Sequence, residues 1–92
     1  MRSIKGRLKR NDKAAWQVVE DKVVVVTPQT RKIHILYGSA SLVWQSLQEP
    51  NDFAGILTRI CDEYEVDCGK AKIDLEVFLL DLLQKRVIAE VK

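Results

Sequence analysis

No stretch of this chain approaches the roughly 18 consecutive apolar residues that a membrane-spanning helix needs. The charged start, MRSIKGRLKRNDK, has no apolar run behind it of the kind a secretory signal carries. A soluble cytoplasmic protein is therefore the expectation. Histidine occurs once, as His34, and cysteine twice, as Cys61 and Cys68. With no paired-cysteine knuckle, that set cannot close a structural zinc site within one chain. Both cysteines are expected reduced in a cytoplasmic setting. Cys61 reads as a small core residue on a helix, and Cys68 lies near a helix start, where a thiol ionises more readily. The four glycines, Gly6, Gly38, Gly55 and Gly69, stand singly, so no glycine-rich phosphate loop is present. His34 sits among aliphatic residues with no assignable Ser or Cys partner. The helical carboxylates read as solvated positions or as ion pairs such as Asp81 with Lys85. No catalytic constellation follows, and neither enzyme activity nor a cofactor is expected.

What is present is an ordinary globular composition: 92 residues, 47% apolar and 30% charged, with a net charge of +2. That length makes one domain with a modest core. The surplus charge is too small to argue for nucleic acid, although Arg2, Lys5, Arg7, Lys9, Arg10 and Lys13 cluster at the start. Residues 1–13 read as a flexible basic segment, and 14–92 as a single domain. Within it, Trp16–Glu20, Val23–Thr27 and Lys32–Tyr37 are β-prone and separated by short turns, which gives an antiparallel meander. The four valines suit a middle strand covered on both faces. Lys32–Tyr37 then lies at an edge, with a row of unpaired backbone groups. Trp16 and Trp44 read as core anchors.

Helical signals follow. Gly38-Ser39 breaks the third strand, with Ser39 or Ser41 placed to cap a helix through Leu47. Pro50-Asn51 ends that helix and Asp52 caps the next, whose Phe53, Ile56, Leu57, Ile60, Cys61 and Tyr64 recur at helical spacing. Asp67 caps a last helix over Gly69–Arg86, and Val87–Val91 either frays or adds a short final strand to the sheet. The fold class expected is α+β: a three-stranded antiparallel sheet followed by three helices, in a winged-helix-like arrangement.

The last helix is unusual. At about 100° per residue, Ala71, Leu75, Phe78, Leu79 and Leu82 form a core face, while Ile73, Val77 and Leu80 form a second apolar sector on nearly the opposite side. A small domain buries one face of a terminal helix; the second is covered by another element of the same chain, stays as scattered surface aliphatics, or walls a groove for a partner. Placed beside the free strand edge, that stripe makes a trough. An extended peptide joining the edge at Lys32, Ile33, His34, Ile35 and Leu36 would press alternate side chains on Ile73, Val77 and Leu80. Lys70, Asp74, Asp81 and Gln84 would then select its flanking residues. Two other readings are a winged-helix nucleic-acid binder, opposed by Asp74, Glu76 and Asp81 on the last helix, and a subunit whose stripe is a homodimer interface.

The order of these motifs resembles the PqqD family of small peptide chaperones, which serve as recognition elements for ribosomally made, modified peptides. Val23–Val26 matches that family's valine-rich hairpin strand, and Ile33-His34-Ile35-Leu36 the strand after it. Val43-Trp44 matches an Ile-Trp pair, and Ile56, Tyr64 and Val66 the second helix and its exit. Asp74-Leu75-Glu76-Val77-Phe78-Leu79 matches an Asp-Val-x-x-Phe-Leu block. Tyr37, Ala40-Ser41 and Val87 depart from the pattern, which favours the wider PqqD-like set over the branch making pyrroloquinoline quinone. The resemblance implies three strands with a winged-helix-like bundle. It also implies a leader or precursor peptide held between the third strand and third helix, and delivery to a modifying enzyme, often a radical S-adenosylmethionine enzyme, with no chemistry by the domain itself.

Overall fold

The computed structural model describes residue 4 and residues 6–91. In chain order the elements are β1 (Arg7–Arg10), β2 (Ala15–Val19), β3 (Lys22–Thr27), β4 (Lys32–Leu36), α1 (Ser39–Ser46), β5 (Asn51–Asp52), α2 (Phe53–Glu63), α3 (Cys68–Gln84) and β6 (Ile88–Glu90). The fold is α+β with three helices. β2, β3 and β4 form the expected meander in that spatial order, with Val25 opposite Trp16 on one side and His34 on the other. The middle strand is covered on one face only. Val23 and Val25 are buried, Val24 is half-buried and Val26 is exposed. The helices pack against a single face of the sheet, so the alternate valines remain on its open side.

A second sheet was not foreseen. β1 lies between β5 and β6 and pairs antiparallel with both. The expectation of a flexible segment over 1–13 therefore fails for Arg7–Arg10; residues 1–3 and 5 lie outside the described residues. RLKR carries one apolar side chain, Leu8, and that side chain is 0% exposed in the core with Trp44, Leu47, Ile56, Leu79 and Val87. The segment is tied down further by Asn11, whose backbone N–H donates to the Val87 carbonyl (3.2 Å) and whose side-chain amide donates to the Arg86 carbonyl (2.7 Å). The closing strand, expected against the meander, instead pairs with β1.

Helix ends follow sequence chemistry closely. Asp52 and Asp67 cap α2 and α3, accepting from the N–H groups of Gly55 (2.8 Å) and Gly69 (2.9 Å). α1 begins without the serine cap expected of it: Gly38, in the left-handed region at φ 60°, occupies the N-cap position with no side-chain hydrogen bond. Only glycine takes that backbone readily, which is why the strand can turn there into a helix. α3 stops two residues early, at Gln84. Arg86 adopts φ 62°, its N–H donates to Leu83 O (3.2 Å), and the Val87 N–H donates to Leu82 O (3.0 Å). This is a Schellman closure with Val87 packed down as its apolar partner.

Trp44 is a core anchor; Trp16 is not. Trp16 is half exposed and meets the edge of Trp44 with ring centroids 5.7 Å apart. The Arg10 guanidinium lies 4.7 Å from both ring centroids and donates to the Trp44 carbonyl at 3.1 and 2.8 Å. Among the described residues no helix is long and apolar enough to cross a membrane.

Candidate functional site

β4 is an edge strand. It pairs with β3 alone, so one row of its backbone N–H and C=O groups has no strand partner among the described residues. Its register with β3 fixes which way each side chain faces. Leu36 and His34 lie opposite the buried Val23 and Val25 and turn inward; Ile33 and Ile35 lie opposite Val26 and Val24 and stand exposed on the open face with Tyr37. The strand therefore has an inner and an open face, and the side chain of Leu36 is core.

α3 runs beside this edge in the opposite sense. A pocket of about 320 Å³ at the start of β4 is lined by Thr30 and Lys32 together with Asp81, Gln84 and Lys85 near the end of the helix. A larger one, about 620 Å³, opens just beyond the other end of β4. Gly38 and Ser39 meet Lys70, Asp74, Leu75 and Phe78 there, and Val43, Ile60, Tyr64 and Val66 complete the wall. The strand edge and the helix thus share a wall at both ends. Lys32, Lys70, Asp74, Asp81 and Gln84 are brought into these two pockets. Ile73 and Val77 line neither; they stand 65% and 62% exposed on the outer shoulder of α3, with Leu80 half-buried beside them. At about 100° per residue, the strip 73-77-80-84 adjoins the pocket-facing strip 70-74-81, with Val77 nearest to it. The core face is Leu75, Leu79 and Leu82, as the periodicity requires.

His34 serves the strand itself. Its Nε2 lies 3.2 Å from the buried Thr27 hydroxyl, which also contacts the Thr30 hydroxyl. Burial holds the imidazolium below the usual histidine range; Lys85 and Lys32 push the same way and Asp81 opposes them. Along α3, Lys85 pairs with Asp81 at 2.9 Å across half-exposed side chains, a contact worth little in stability but one that fixes two charges at the mouth of the smaller pocket.

Phe78, Tyr64 and Val66 were not among the site residues expected from the sequence. Phe78 was assigned to the core face and in fact also forms pocket wall. Tyr64 continues the helical spacing of α2 as its C-cap, and Val66 lies in the connector that follows, where no periodicity marks a site. The connector is held by a bond that the sequence reading did not expect: Cys61 and Cys68, expected reduced, are paired as a disulfide, seven positions apart with Cα atoms 6.0 Å apart. The end of α2 and the start of α3 face each other across the loop that carries Tyr64, Val66 and Asp67. Among the described residues no cluster of His, Cys, Asp or Glu could hold a metal ion.

Comparison with known proteins agrees with this architecture. The model of the family described as coenzyme PQQ synthesis protein D (PqqD) matches residues 22–88. The solved structure of TbiB1 in complex with the TbiA(beta) leader peptide is similar with a TM-score of 0.82 and 30% sequence identity, over 91% of this chain and 98% of that one. No curated protein matches the sequence.

Proposed function

The chain belongs to the PqqD family, and on that footing we propose that it is a non-catalytic peptide-binding module that presents a ribosomal precursor to a modifying enzyme. The leader segment of the precursor joins the free edge of β4 as an added strand, at the backbone of Lys32–Leu36, and runs between that edge and α3. The observation that carries this reading is the unpaired edge with a helix alongside it, in a chain similar to a protein solved in complex with a leader peptide. Backbone pairing supplies sequence-independent affinity, and side-chain pockets supply selection. The larger pocket, floored by Val43, Ile60, Leu75 and Phe78, takes an apolar side chain at the end of the added strand. Lys70 and Asp74 at one end and Asp81 and Gln84 at the other read its flanking polar residues, and Ile73, Val77 and Leu80 extend the apolar wall beyond the rim. A radical S-adenosylmethionine enzyme is the recipient this reading favours, and the cytoplasm, where ribosomal precursors are made, is its setting.

The test is an amide-shift titration of the isotope-labelled chain with the TbiA(beta) leader peptide and with candidate precursors from the source genome. Shifts should concentrate in β4 and α3. Val77→Glu should leave the spectrum of the free chain folded, because Val77 is solvent-facing, and should weaken binding about tenfold or more, the loss of about 1.4 kcal/mol or above expected of an interface anchor. A folded Val77→Glu chain with undiminished affinity, or shifts confined to other elements, refutes the assignment.

A further inference from the structure

The proposed peptide site uses one edge of the β2–β3–β4 sheet and leaves the other untouched. β2 pairs only with β3, so among the described residues its outer N–H and C=O groups have no strand partner. Edges left open in natural proteins are guarded by lysine, proline or a bulge; AWQVV has none of these. Trp16 and Val18 lie opposite the buried Val25 and Val23 and face the helical layer, yet remain 47% and 57% exposed. Beside them opens a pocket of about 460 Å³, lined by Arg10, Glu20, Asp21, Trp44 and Arg59 among others.

We propose that β2 pairs antiparallel with β2 of a second copy of this chain, with Gln17 on the two-fold axis. The sheets of the two copies then run continuously in the order β4-β3-β2-β2-β3-β4. The side chains select this register. With Gln17 opposite itself, Trp16 lies opposite Val18 of the second copy, and the symmetry makes that aromatic–β-branched contact twice. Ala15 lies opposite Val19. The turn carrying Asp21 meets the segment carrying Lys13 of the other copy, again twice, and among the described residues neither charge has an ion-pair partner in its own chain. A shift of two residues sets Trp16 against Trp16 or Val18 against Val18 and parts Asp21 from Lys13. A shift of one opposes residues that face different sides of the sheet. The contact is self-complementary, as a two-fold interface must be. Pairing through a five-residue strand buries less than the roughly 1,200 Å² of a stable complex, so association is a concentration-dependent equilibrium. It leaves both β4 edges free at the outer ends of the joined sheet, and it rests on observations separate from those behind the peptide reading.

Sedimentation equilibrium of the full chain across a wide concentration range should give a mass rising from monomer toward twice that value, with Trp16 emission shifting to the blue as its ring is covered. Gln17→Cys, at an exposed position, should form a covalent dimer under mild oxidation, while wild type, its own cysteines paired, does not. Gln17→Glu sets like charges directly opposite each other and should weaken association severalfold with unchanged circular dichroism and unchanged peptide titration. A mass that stays monomeric at every concentration overturns the proposal. So does a dimer that survives Gln17→Glu and does not cross-link through the Gln17→Cys thiol. Loss of peptide binding with the dimer intact would sink the peptide reading alone.

Discussion

Leu8→Ala isolates the element that the sequence conceals. Leu8 is the only apolar side chain of β1 and is 0% exposed, inside the core that both sheets share. Truncating a fully buried leucine costs about 2–5 kcal/mol, the upper part of that range where the neighbours cannot close the cavity. Here the strand is held on both sides by β5 and β6, so collapse into the space is restricted and a loss of about 3 kcal/mol is expected. A domain of this size has roughly 5–15 kcal/mol to lose, and each kcal/mol moves the melting temperature by about 4–8 °C. Leu8→Ala should therefore lower it by about 12–24 °C. Urea unfolding followed by far-ultraviolet circular dichroism gives the free energy, and calorimetry the midpoint. Lys9→Ala is the control. It sits on the same strand and loses only the surface pair with Asp12 at 3.0 Å, so its change should stay within about 0.5 kcal/mol. If Leu8→Ala shifts stability no more than Lys9→Ala does, β1 is not part of the folded core and residues 1–13 behave as a free arm after all.

The bond between Cys61 and Cys68 closes a short loop, a constraint on the unfolded chain worth about 2 kcal/mol. Adding dithiothreitol should lower the urea midpoint of wild type but not of the Cys61→Ser, Cys68→Ser double variant, and an unmoved wild-type midpoint would show that the thiols are free in solution. His34 gives a pH signature. Its folded value is depressed by burial first and by Lys85 and Lys32 next, so the unfolded chain takes up the proton more readily. Stability is complete above the unfolded value of about 6.5 and falls as pH drops below it through the folded value. His34→Gln should flatten that fall, and a ring resonance titrating above about 6.5 would refute the sign.

Elements whose signal is local were legible in the sequence. The valine run of β3, the alternation in KIHIL, the Asp52 and Asp67 caps and the core face Leu75-Leu79-Leu82 each follow from a single period or a single side-chain hydrogen bond, and each is where it was expected. β1 was not legible, because RLKR carries three cations and one leucine; its strand geometry is imposed by β5 and β6, far along the chain. Partial covering of β3 was hidden for a related reason. A run of four valines records strand propensity, not how many layers cover it. The cysteines were expected reduced on the expected compartment, whereas the pairing depends on how α2 and α3 meet, which seven residues of sequence do not specify. Of the candidate site, Lys70 and Asp74 line one pocket and Lys32, Asp81 and Gln84 the other, whereas Tyr64 and Val66 are wall residues placed by the end of α2 and the connector after it.

The exposed stripe on α3 is the feature the fold leaves unresolved within itself. Leu75, Leu79 and Leu82 already commit one side of the helix to the core, and a helix cannot turn two opposite faces inward against a single layer. Ile73 and Val77 therefore stay in water at a cost of roughly 25 cal/mol for each Å² of apolar surface left uncovered, unless something outside the chain covers them. A nucleic acid does not suit that role, because Asp74, Glu76 and Asp81 flank the stripe and would set carboxylates against phosphates. An extended peptide does suit it. On the proposed reading its backbone would complete the β4 ladder, its apolar side chains would cover Val77 and the floor at Phe78, and Lys70 and Asp74 would be left to meet opposite charges on it. The helix that stabilises the domain through one face thus keeps a second apolar face exposed, and the proposed peptide would cover it.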